Sequence, residues 1–318
     1  MENPLLRLPG AVPAEGPDTG VAAHYGDPSG EQRALQRTAG LVDRSHRGVV
    51  RIGGPDRLSW LNSLSTQLLD GLEPGAATQT LILSPNGHVQ HHLTLADDGA
   101  TVWAHVEPGT AAELTAFLES MRFMLRVEPA DVTGQYAVLT LAGPRAAELA
   151  PPGVRTRTDG AAIDLFVPRD DAGKIAEELV AAGARPAGMW AYEALRIAAH
   201  VPRLGVDTDD RTIPHEVGWI GSAVHLDKGC YRGQETVARV HNLGRPPRRT
   251  VLLHLDGVDE ALPAPGSPVT VDGRAVGVTG TAVRHFELGP VTLALLKRNV
   301  PADATLRVGE TNAAIDPD

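Results

Sequence analysis

A short pattern of strand, Gly-Pro turn and helix occurs twice in this chain, at positions 89 residues apart. The two copies span residues 49–56 and 138–145, and in each a run of strand-favouring apolar residues leads into Gly-Pro. Proline suits the first turn of a helix, so each copy predicts a strand that turns directly into a helix. Gly-Pro is also a common turn by itself, but recurrence at a fixed spacing indicates a repeat. We therefore predict two related α+β units, each an antiparallel sheet covered by helices.

Hydrophobic periodicity places further elements around this repeat. It predicts helices over residues 31–42, from 54 onward with Leu58, Leu61, Leu64 and Leu68 on one face, and over 110–121, 172–182 and 187–199. It predicts strands over residues 48–53, 80–84, 89–96, 101–106 and 161–167, with a hairpin turn at residues 85–87. After residue 249, short strands separated by Gly, Pro and Asp indicate a small β-barrel or sandwich, at residues 250–255, 268–271, 275–281, 291–295 and 305–308.

These elements predict an α+β fold in four parts. Residues 1–30 form an irregular lead-in, 31–130 a first α+β unit, 131–245 a second α+β unit, and 246–318 the C-terminal β-barrel. Residues 201–227 make an unusually long loop, and its apolar content predicts that the loop is ordered and functional. Residues 242–249 are interpreted as a linker.

Composition argues against several classes of function. The net charge of −10 argues against general electrostatic binding to nucleic acid or to an anionic membrane. A single cysteine excludes an internal disulfide and a self-sufficient four-cysteine zinc or iron–sulfur site. No apolar run approaches the roughly 20 residues that span a bilayer, and residues 1–20 lack the pattern of a secretion signal. We expect a cytoplasmic protein without membrane partners.

The single cysteine lies in the segment Lys228-Gly229-Cys230-Tyr231-Arg232-Gly233-Gln234-Glu235. The two glycines permit a tight turn, and residues 234–240 predict a short helix that begins near Gly233. A thiol near a helix N-terminus, flanked by Lys228 and Arg232, lies where the thiolate is favoured. A free cysteine is also commonly a small buried apolar residue. The local chemistry leaves both interpretations open.

The cysteine segment, followed by Val237-Ala238-Arg239, resembles the signature of the YgfZ family. That family belongs to the folate-binding superfamily of the glycine-cleavage T-protein. The order of further motifs is similar to that of the same family, at residues 40–45, 53–56, 192–197, 202–205 and 213–216. The resemblance spans most of residues 30–300.

The resemblance implies a ring-like arrangement of two α+β units and a β-barrel, with a central pocket for tetrahydrofolate. It implies a protein that supports the assembly or repair of iron–sulfur enzymes, including some that modify tRNA, and its partners would be those clients or assembly proteins. Cys230 would be the reactive thiol at the pocket rim, where the flanking Lys228 and Arg232 favour the thiolate. The folate contacts would come from Glu193, Arg196, Tyr231, Arg232, Gln234, Glu235, Arg239 and His91.

The chain departs from the T-protein pattern at two places. T-proteins transfer an aminomethyl group to tetrahydrofolate and use an acidic residue after a Gly-Gly hairpin turn, whereas the matching hairpin here carries His91 and His92. T-proteins also tend to have Glu and Gly where this chain has residues 198–200. These differences weigh against aminomethyl transfer, which remains the alternative function. A purely structural partner-binding protein is the third class.

Other polar groups also have two interpretations. His88 and His92 share one face of a predicted strand and could bind a metal, although two histidines without a third ligand are more typical of polar pocket or surface residues. Residues 207–210 lack the glycine and glutamate of a calcium loop and predict a solvated turn.

Three further groups also have competing interpretations. Glu193 and Arg196 form either a surface pair or part of a pocket, and the family resemblance favours the pocket. The basic run 245–249 favours a solvated linker over contact with nucleic acid. A thiol–imidazole pair of Cys230 with His225 or His241 lacks an orienting third group.

Overall fold

The computed structural model describes residues 3–152, 155–158, 162–258 and 261–317, with the side chains of 155–158 left out. The chain divides into two compact units. Unit 1 contains Met1–Leu83, His91–Tyr192 and Gly221–Arg232, and unit 2 contains Ser84–Gln90, Glu193–Ile220 and Gly233–Asp318. The four-part division drawn from the sequence stays a prediction.

The helices of the described chain are α1 (Pro28–Arg37), α2 (Arg57–Leu64), α3 (Ala111–Ser120), α4 (Ala146–Leu149), α5 (Ala172–Ala181), α6 (Met189–Ala198) and α7 (Gln234–Leu243). The strands are β1 (Val12–Pro13), β2 (Ala22–His24), β3 (Gly40–Asp43), β4 (Gly48–Gly53), β5 (Ala77–Leu83), β6 (Val89–Asp97), β7 (Thr101–Val106), β8 (Glu128–Asp131), β9 (Tyr136–Ala142), β10 (Arg155–Thr158), β11 (Ala162–Pro168), β12 (Arg185–Ala187), β13 (Arg248–Leu255), β14 (Pro268–Val271), β15 (Arg274–His285), β16 (Gly289–Lys297), β17 (Leu306–Val308) and β18 (Thr311–Ile315). No described helix is long and apolar enough to cross a membrane.

Unit 1 is built on two five-stranded sheets, in the orders β10-β11-β9-β3-β12 and β5-β6-β7-β4-β8. Most neighbouring strands are antiparallel, and β12 pairs with β3 in parallel. Buried side chains of α4 and α5 pack on the first sheet, and those of α2 and α3 pack on the second. Val49, Trp103, Val138 and Phe166 form a further apolar cluster that joins strands of the two sheets.

A buried polar network also joins the two sheets of unit 1. Asp164 on β11 accepts hydrogen bonds from Arg44 at 3.1 Å and from Nε2 of His105 on β7 at 2.8 Å. Although burial opposes its ionisation, Arg44 and His105 hold the pKa of the Asp164 carboxyl well below its usual range. Arg47 donates to Nδ1 of His105 at 2.9 Å. A neutral imidazole can therefore accept from Arg47 at Nδ1 while its Nε2–H donates to Asp164. Burial lowers the pKa of His105 to about 4.

Unit 2 contains a closed six-stranded barrel in the order β13-β16-β15-β14-β17-β18. Its interior is apolar, with Leu253, Val269, Leu296 and Leu306 fully buried. Ala194 and Ile197 of α6 pack on barrel residues, which lie on β13, β15 and β16.

The fold class predicted from the sequence is confirmed: the protein is α+β, with antiparallel sheets and a C-terminal barrel. Both copies of the repeated pattern adopt the same local structure, a strand followed by a glycine with positive φ and then a helix. Gly54 has φ +102° and Gly143 has φ +115°. A Cβ on Gly54 would lie 2.1 Å from the carbonyl oxygen of Arg126, and a Cβ on Gly143 would lie 2.5 Å from that of Thr38.

Some element boundaries were wrong. The helix predicted over residues 31–42 begins at Pro28 and ends at Arg37, because residues 40–43 pair as β3 within the sheet. Leu68 lies outside α2, which ends at Leu64. The predicted linker 242–249 is shorter in the structure, where α7 continues to Leu243, β13 begins at Arg248 and residues 244–247 connect them.

Candidate functional site

The cysteine segment of unit 1 is anchored by the ammonium group of Lys228. Its Nζ donates hydrogen bonds to the backbone carbonyls of Asn62 at 2.5 Å, Ser65 at 2.5 Å and Gln67 at 2.9 Å. An ammonium has three N–H donors, so these carbonyls use its full capacity. Burial lowers the pKa of Lys228 to about 8. Lys228 therefore ties the cysteine segment to the last turn of α2 and to the loop that follows it.

Three more hydrogen bonds hold residues 221–232 against the same loop. Thr66 Oγ1 donates to the carbonyl of Ala223 at 2.6 Å, and Gln67 Nε2 donates to that of Ser222 at 3.1 Å. The backbone N–H of His225 donates to the carbonyl of Thr66 at 3.0 Å. The segment before the cysteine thus has a fixed path.

Cys230 is exposed. The interpretation of this residue as a small buried apolar side chain is therefore wrong. Gly229 beside it lacks a positive φ, and a Cβ added there would meet nothing within 4 Å. Gly233 has φ +82° directly before α7. The turn thus requires glycine for its backbone angles at Gly233, and Gly229 leaves open space next to the thiol.

Aromatic and basic side chains follow the cysteine in unit 1. Tyr231 is buried, its ring centroid lies 5.2 Å from Nζ of Lys228, and burial raises its pKa to about 12. Arg232 is exposed, with its guanidinium 5.9 Å from the centroid of the Phe117 ring. The ring centroid of buried His91 lies 6.5 Å from that of Phe117, and burial lowers the pKa of His91. Three of the predicted site residues therefore lie close to Lys228 or Phe117.

The next histidine has a different partner. His92 lies 2.8 Å from Oε1 of Gln79, so its imidazole is engaged in the sheet. In the part of the chain that the structure describes, no three His, Cys, Asp or Glu side chains are grouped as metal ligands would be.

Glu193 and Arg196 belong to a buried ionic network in unit 2. Arg196 donates from Nε and from one terminal nitrogen to Glu193, and from the other terminal nitrogen to Asp207 at 2.7 Å. The carbonyl of Val201 and the hydroxyl of Thr281 accept its remaining two N–H groups. Burial alone would lower the pKa of Arg196, but Glu193 and Asp207 raise it above its usual range. The interpretation of this pair as a surface pair is wrong.

Glu193 retains some capacity for a ligand. Its carboxylate accepts two bonds from Arg196, and Arg203 lies 3.3 Å from Oε1. A carboxylate has about four acceptor sites, so one remains. Arg196 has no uncommitted donor, and its contribution to a ligand site would be to orient Glu193.

Asp207 is buried, in contrast to the prediction from the sequence. Residues 207–210 were predicted to form a solvated turn, but Asp207 is buried and its carboxylate also accepts from the backbone N–H groups of Arg203 at 2.8 Å and Thr281 at 2.6 Å. Asp209 lies at the surface and pairs with Arg248, which also contacts Glu216 at 2.8 Å. The basic run at 245–249 therefore includes an arginine committed to unit 2 itself.

The remaining predicted residues lie on α7 in unit 2. Glu235 and Arg239 are exposed, Gln234 is half-buried, and Val237 is the buried residue of the helix. The hairpin tip packs closely on the first turn of α7, since a Cβ on Gly87 would lie 2.7 Å from Cβ of Thr236.

The residues present fit a folate in chemical type. A folate carries a flat polar ring system with N–H donors and ends in carboxylates. In unit 1 the aromatic face of Phe117 and the exposed cation of Arg232 are of matching types, and in unit 2 the acceptor Glu193 and the exposed cation of Arg239 are.

Sequence reasoning missed the anchor of the cysteine segment and the partners of Arg196. The acceptors for Lys228 are backbone carbonyls, which every residue carries, so no side-chain pattern could have indicated them. Asp207 lies 11 residues and Thr281 85 residues beyond Arg196, outside the spacing of neighbours on one helix, so they meet it only in the folded unit.

Comparison with known proteins agrees with this architecture. Residues 24–164 match the family model described as the GCVT N-terminal domain. An aminomethyltransferase of Geobacillus kaustophilus is 31% identical over 307 residues, covering 86% of this chain and 83% of the relative. A chloroplastic protein of Arabidopsis thaliana, which is described as a proposed transferase, is 26% identical. The match covers 94% of this chain and 74% of the relative.

A solved structure shares the fold. The glycine cleavage system aminomethyltransferase T from Bartonella henselae superposes with a TM-score of 0.83 at 19% identity, covering 97% of this chain and 93% of its own. On the identity and coverage of the Geobacillus relative, this chain belongs to the aminomethyltransferase family, whose N-terminal domain it carries at residues 24–164.

Proposed function

We propose that this protein binds tetrahydrofolate and supports the assembly or repair of iron–sulfur enzymes, including some that modify tRNA, through the thiol of Cys230. One observation carries the proposal: Cys230 is exposed on a segment that Lys228 anchors through three backbone carbonyls. An exposed thiol on a fixed segment is accessible to a partner while the protein holds it in place. The signature around Cys230 resembles that of the YgfZ family, to which the same role is attributed.

The histidines at positions 91 and 92 favour this role over aminomethyl transfer. The resemblance aligns them with the acidic residue that T-proteins use after their Gly-Gly turn. His91 is buried with a lowered pKa, so it is neutral near pH 7 and carries no negative charge. A neutral imidazole does not replace the electrostatics of a carboxylate next to an amine.

Lys228 and Cys230 have separate roles in this proposal. Lys228 holds the loop, and Cys230 presents its sulfur. As a thiolate, the sulfur can donate one ligand to an iron–sulfur cluster, and the other ligands must come from a partner because a cluster needs several. It can alternatively attack a partner's disulfide, forming a mixed disulfide and releasing the second partner sulfur as a thiolate.

The proposed folate contacts are those assigned by the resemblance. Glu193 would accept from the N–H groups of the ring system, with Arg196 orienting it, and His91 and Tyr231 would supply ring faces. Arg232, Gln234, Glu235 and Arg239 are the proposed polar contacts. Bound tetrahydrofolate supplies a carrier for one-carbon units.

A folate-dependent one-carbon transferase is the second candidate. It is favoured by the name of the Geobacillus relative, aminomethyltransferase, at 31% identity. In that role the protein would release a one-carbon unit from an amine donor to tetrahydrofolate.

One experiment separates the two functions. Purified protein is titrated with tetrahydrofolate by calorimetry, and the same preparation is incubated with tetrahydrofolate and an aminomethylated donor while methylenetetrahydrofolate is measured. We expect saturable binding without turnover. Turnover would support the transferase, and an absence of binding would remove folate from the proposal.

A further inference from the structure

Four charged side chains form a buried group in unit 2. Arg196 and Arg203 carry positive charges and Glu193 and Asp207 carry negative charges, so the group is neutral in total. All four side chains are at most 7% exposed. A buried charge is costly unless it is paired and hydrogen-bonded. The division of the two arginines between the two acids therefore determines how much of Glu193 is left for a ligand.

Asp207 joins three elements of unit 2. One carboxylate oxygen accepts from a terminal nitrogen of Arg196 on α6 at 2.7 Å and from the backbone N–H of Arg203 at 2.8 Å. The other oxygen accepts from the backbone N–H of Thr281 on β15 at 2.6 Å. A helix, a loop and a barrel strand are thereby fixed to one carboxylate.

The barrel strand is shaped for this contact. In the pairing of β15 with β16, Gly280 and Thr281 lie opposite the single residue Leu293, so β15 has a β-bulge there. A bulge disrupts the ladder locally, and here the N–H of Thr281 donates to Asp207. A Cβ on Gly280 would lie 2.5 Å from Oδ1 of Asp207, so the close approach requires glycine at this position. The bulge and the glycine both serve the same carboxylate.

Asp207 also limits the demand on Glu193. Arg196 directs Nε and one terminal nitrogen to Glu193, and the other terminal nitrogen to Asp207. If Asp207 carried no charge, Glu193 would be the single acid of the group beside two arginines, and both would draw on its carboxylate. With Asp207 ionised, Glu193 keeps one acceptor site uncommitted.

We propose that Asp207 is a positioning residue of the folate site, which holds Arg196 so that Glu193 presents its remaining acceptor to the amino group of the folate ring. This inference rests on the proposed function. The side chain of Asp207 is fully buried, so it acts through Arg196 and not by contact with the ligand. Loss of Asp207 should therefore reduce the selectivity for a ring that carries the amino group.

Ligand selectivity tests this role. Dissociation constants are measured by calorimetry for tetrahydrofolate and for its analogue in which a methyl group replaces the ring amino group. The wild type should prefer tetrahydrofolate about tenfold or more, because the analogue cannot donate to the charged acceptor. Asp207→Asn should reduce the preference to about threefold or less. Gly280→Ala should do the same, because its Cβ displaces the carboxylate of Asp207.

The ratio of the two constants separates positioning from folding. Both ligands are measured on one preparation, so a smaller folded fraction changes the amount of binding protein and leaves the preference as it is. Gly280→Ala also covers the case in which Asp207→Asn does not fold. Gly134→Ala is the control, because it adds a Cβ to open space at a glycine that likewise lacks a positive φ, and it should keep the wild-type preference.

The outcomes for Asp207 and for the proposed function differ. A wild-type preference in every folded variant of Asp207 and Gly280 would overturn the positioning role and leave folate binding intact. A wild type that binds both ligands equally would overturn it as well. A wild type that binds neither ligand would overturn the proposed folate binding, and this inference with it.

Discussion

At the scale of single residues, Lys228 shows how one side chain can fix a functional segment. Its three N–H groups meet the carbonyl of Asn62 in the last turn of α2 and those of Ser65 and Gln67 just after the helix, and its charge is compensated by those dipoles rather than by an acid. Hydrogen bonds to charged groups contribute more than neutral ones, and removal of the donor leaves buried acceptors unsatisfied.

Lys228→Met should therefore lower the free energy of unfolding by about 2–4 kcal/mol. Urea denaturation monitored by circular dichroism measures this, and limited proteolysis should cut residues 221–232 faster. Gly229→Ala is the control: its Cβ enters open space at an ordinary φ, so stability should change by less than about 0.5 kcal/mol. Equal stability of the Lys228 variant and the wild type would refute the anchor.

The sequence predicted which residues surround the cysteine but not how they are used. Lys228 and Arg232 were expected to act on the thiol, and the structure places Lys228 against carbonyls and Arg232 beside Phe117. Local sequence shows charge and spacing, whereas these contacts join residues about 100 or more positions apart. Such pairings depend on the folded path of the chain.

At the scale of elements, the repeated strand-to-helix turn was predictable because its glycine, proline and apolar run are adjacent in sequence. The same reasoning failed at residues 38–43, where an apolar run fits a helix and a buried strand equally well. The strand β12 was not predicted, since three residues paired in parallel with β3 carry no pattern of their own.

In the second strand-to-helix turn, Gly143 lies close to the carbonyl oxygen of Thr38. This contact can be tested by comparing alanine substitutions at two glycines that both have positive φ. Gly143→Ala adds a Cβ 2.5 Å from a carbonyl oxygen, whereas Gly75→Ala adds one to open space at φ +84°. Backbone strain costs both variants about 1–2 kcal/mol, and the clash should bring Gly143→Ala to about 3 kcal/mol or more. Urea denaturation of both variants gives the comparison, and equal losses would contradict a tight contact at Gly143.

The network between the two sheets of unit 1 predicts a loss of stability in mild acid. The folded pKa of His105 is about 4 and its usual value 6.5, so the unfolded chain binds more protons between these values. The contribution of His105 to the free energy of unfolding is therefore fully present above pH 6.5 and is lost as pH falls towards 4. The loss from this group amounts to about 3 kcal/mol. The lowered pKa of Asp164 extends the loss to still lower pH.

Urea denaturation at several pH values between 7 and 4 measures this slope. His105→Gln should flatten the slope in that window, although it lowers stability at pH 7. His200→Asn is the control variant and should leave the slope as in the wild type: it replaces an exposed histidine outside this network with a residue that tolerates the positive φ of +57° there. An unchanged slope in the His105 variant would show that other groups cause the acid sensitivity.

At the scale of the whole molecule, fold and chemistry have different sequence requirements. The chain keeps the fold of a solved aminomethyltransferase at 19% identity, because apolar periodicity and turn residues suffice to specify sheets and barrel. The reaction depends on a few side chains, and here histidines stand where the resemblance expects an acid. Family membership thus leaves the reaction open, and the exposed Cys230 is the group on which the proposed role depends.

The most direct test measures a [4Fe–4S] enzyme in extracts of cells that lack this gene, with and without oxidative stress. Wild type, Gly229→Ala and Cys230→Ala are restored separately, at protein levels matched by immunoblot. We predict low enzyme activity in the deletion, recovery with the wild type and with Gly229→Ala, and no recovery with Cys230→Ala. Full activity in the deletion under both conditions, or recovery with Cys230→Ala, would contradict the account.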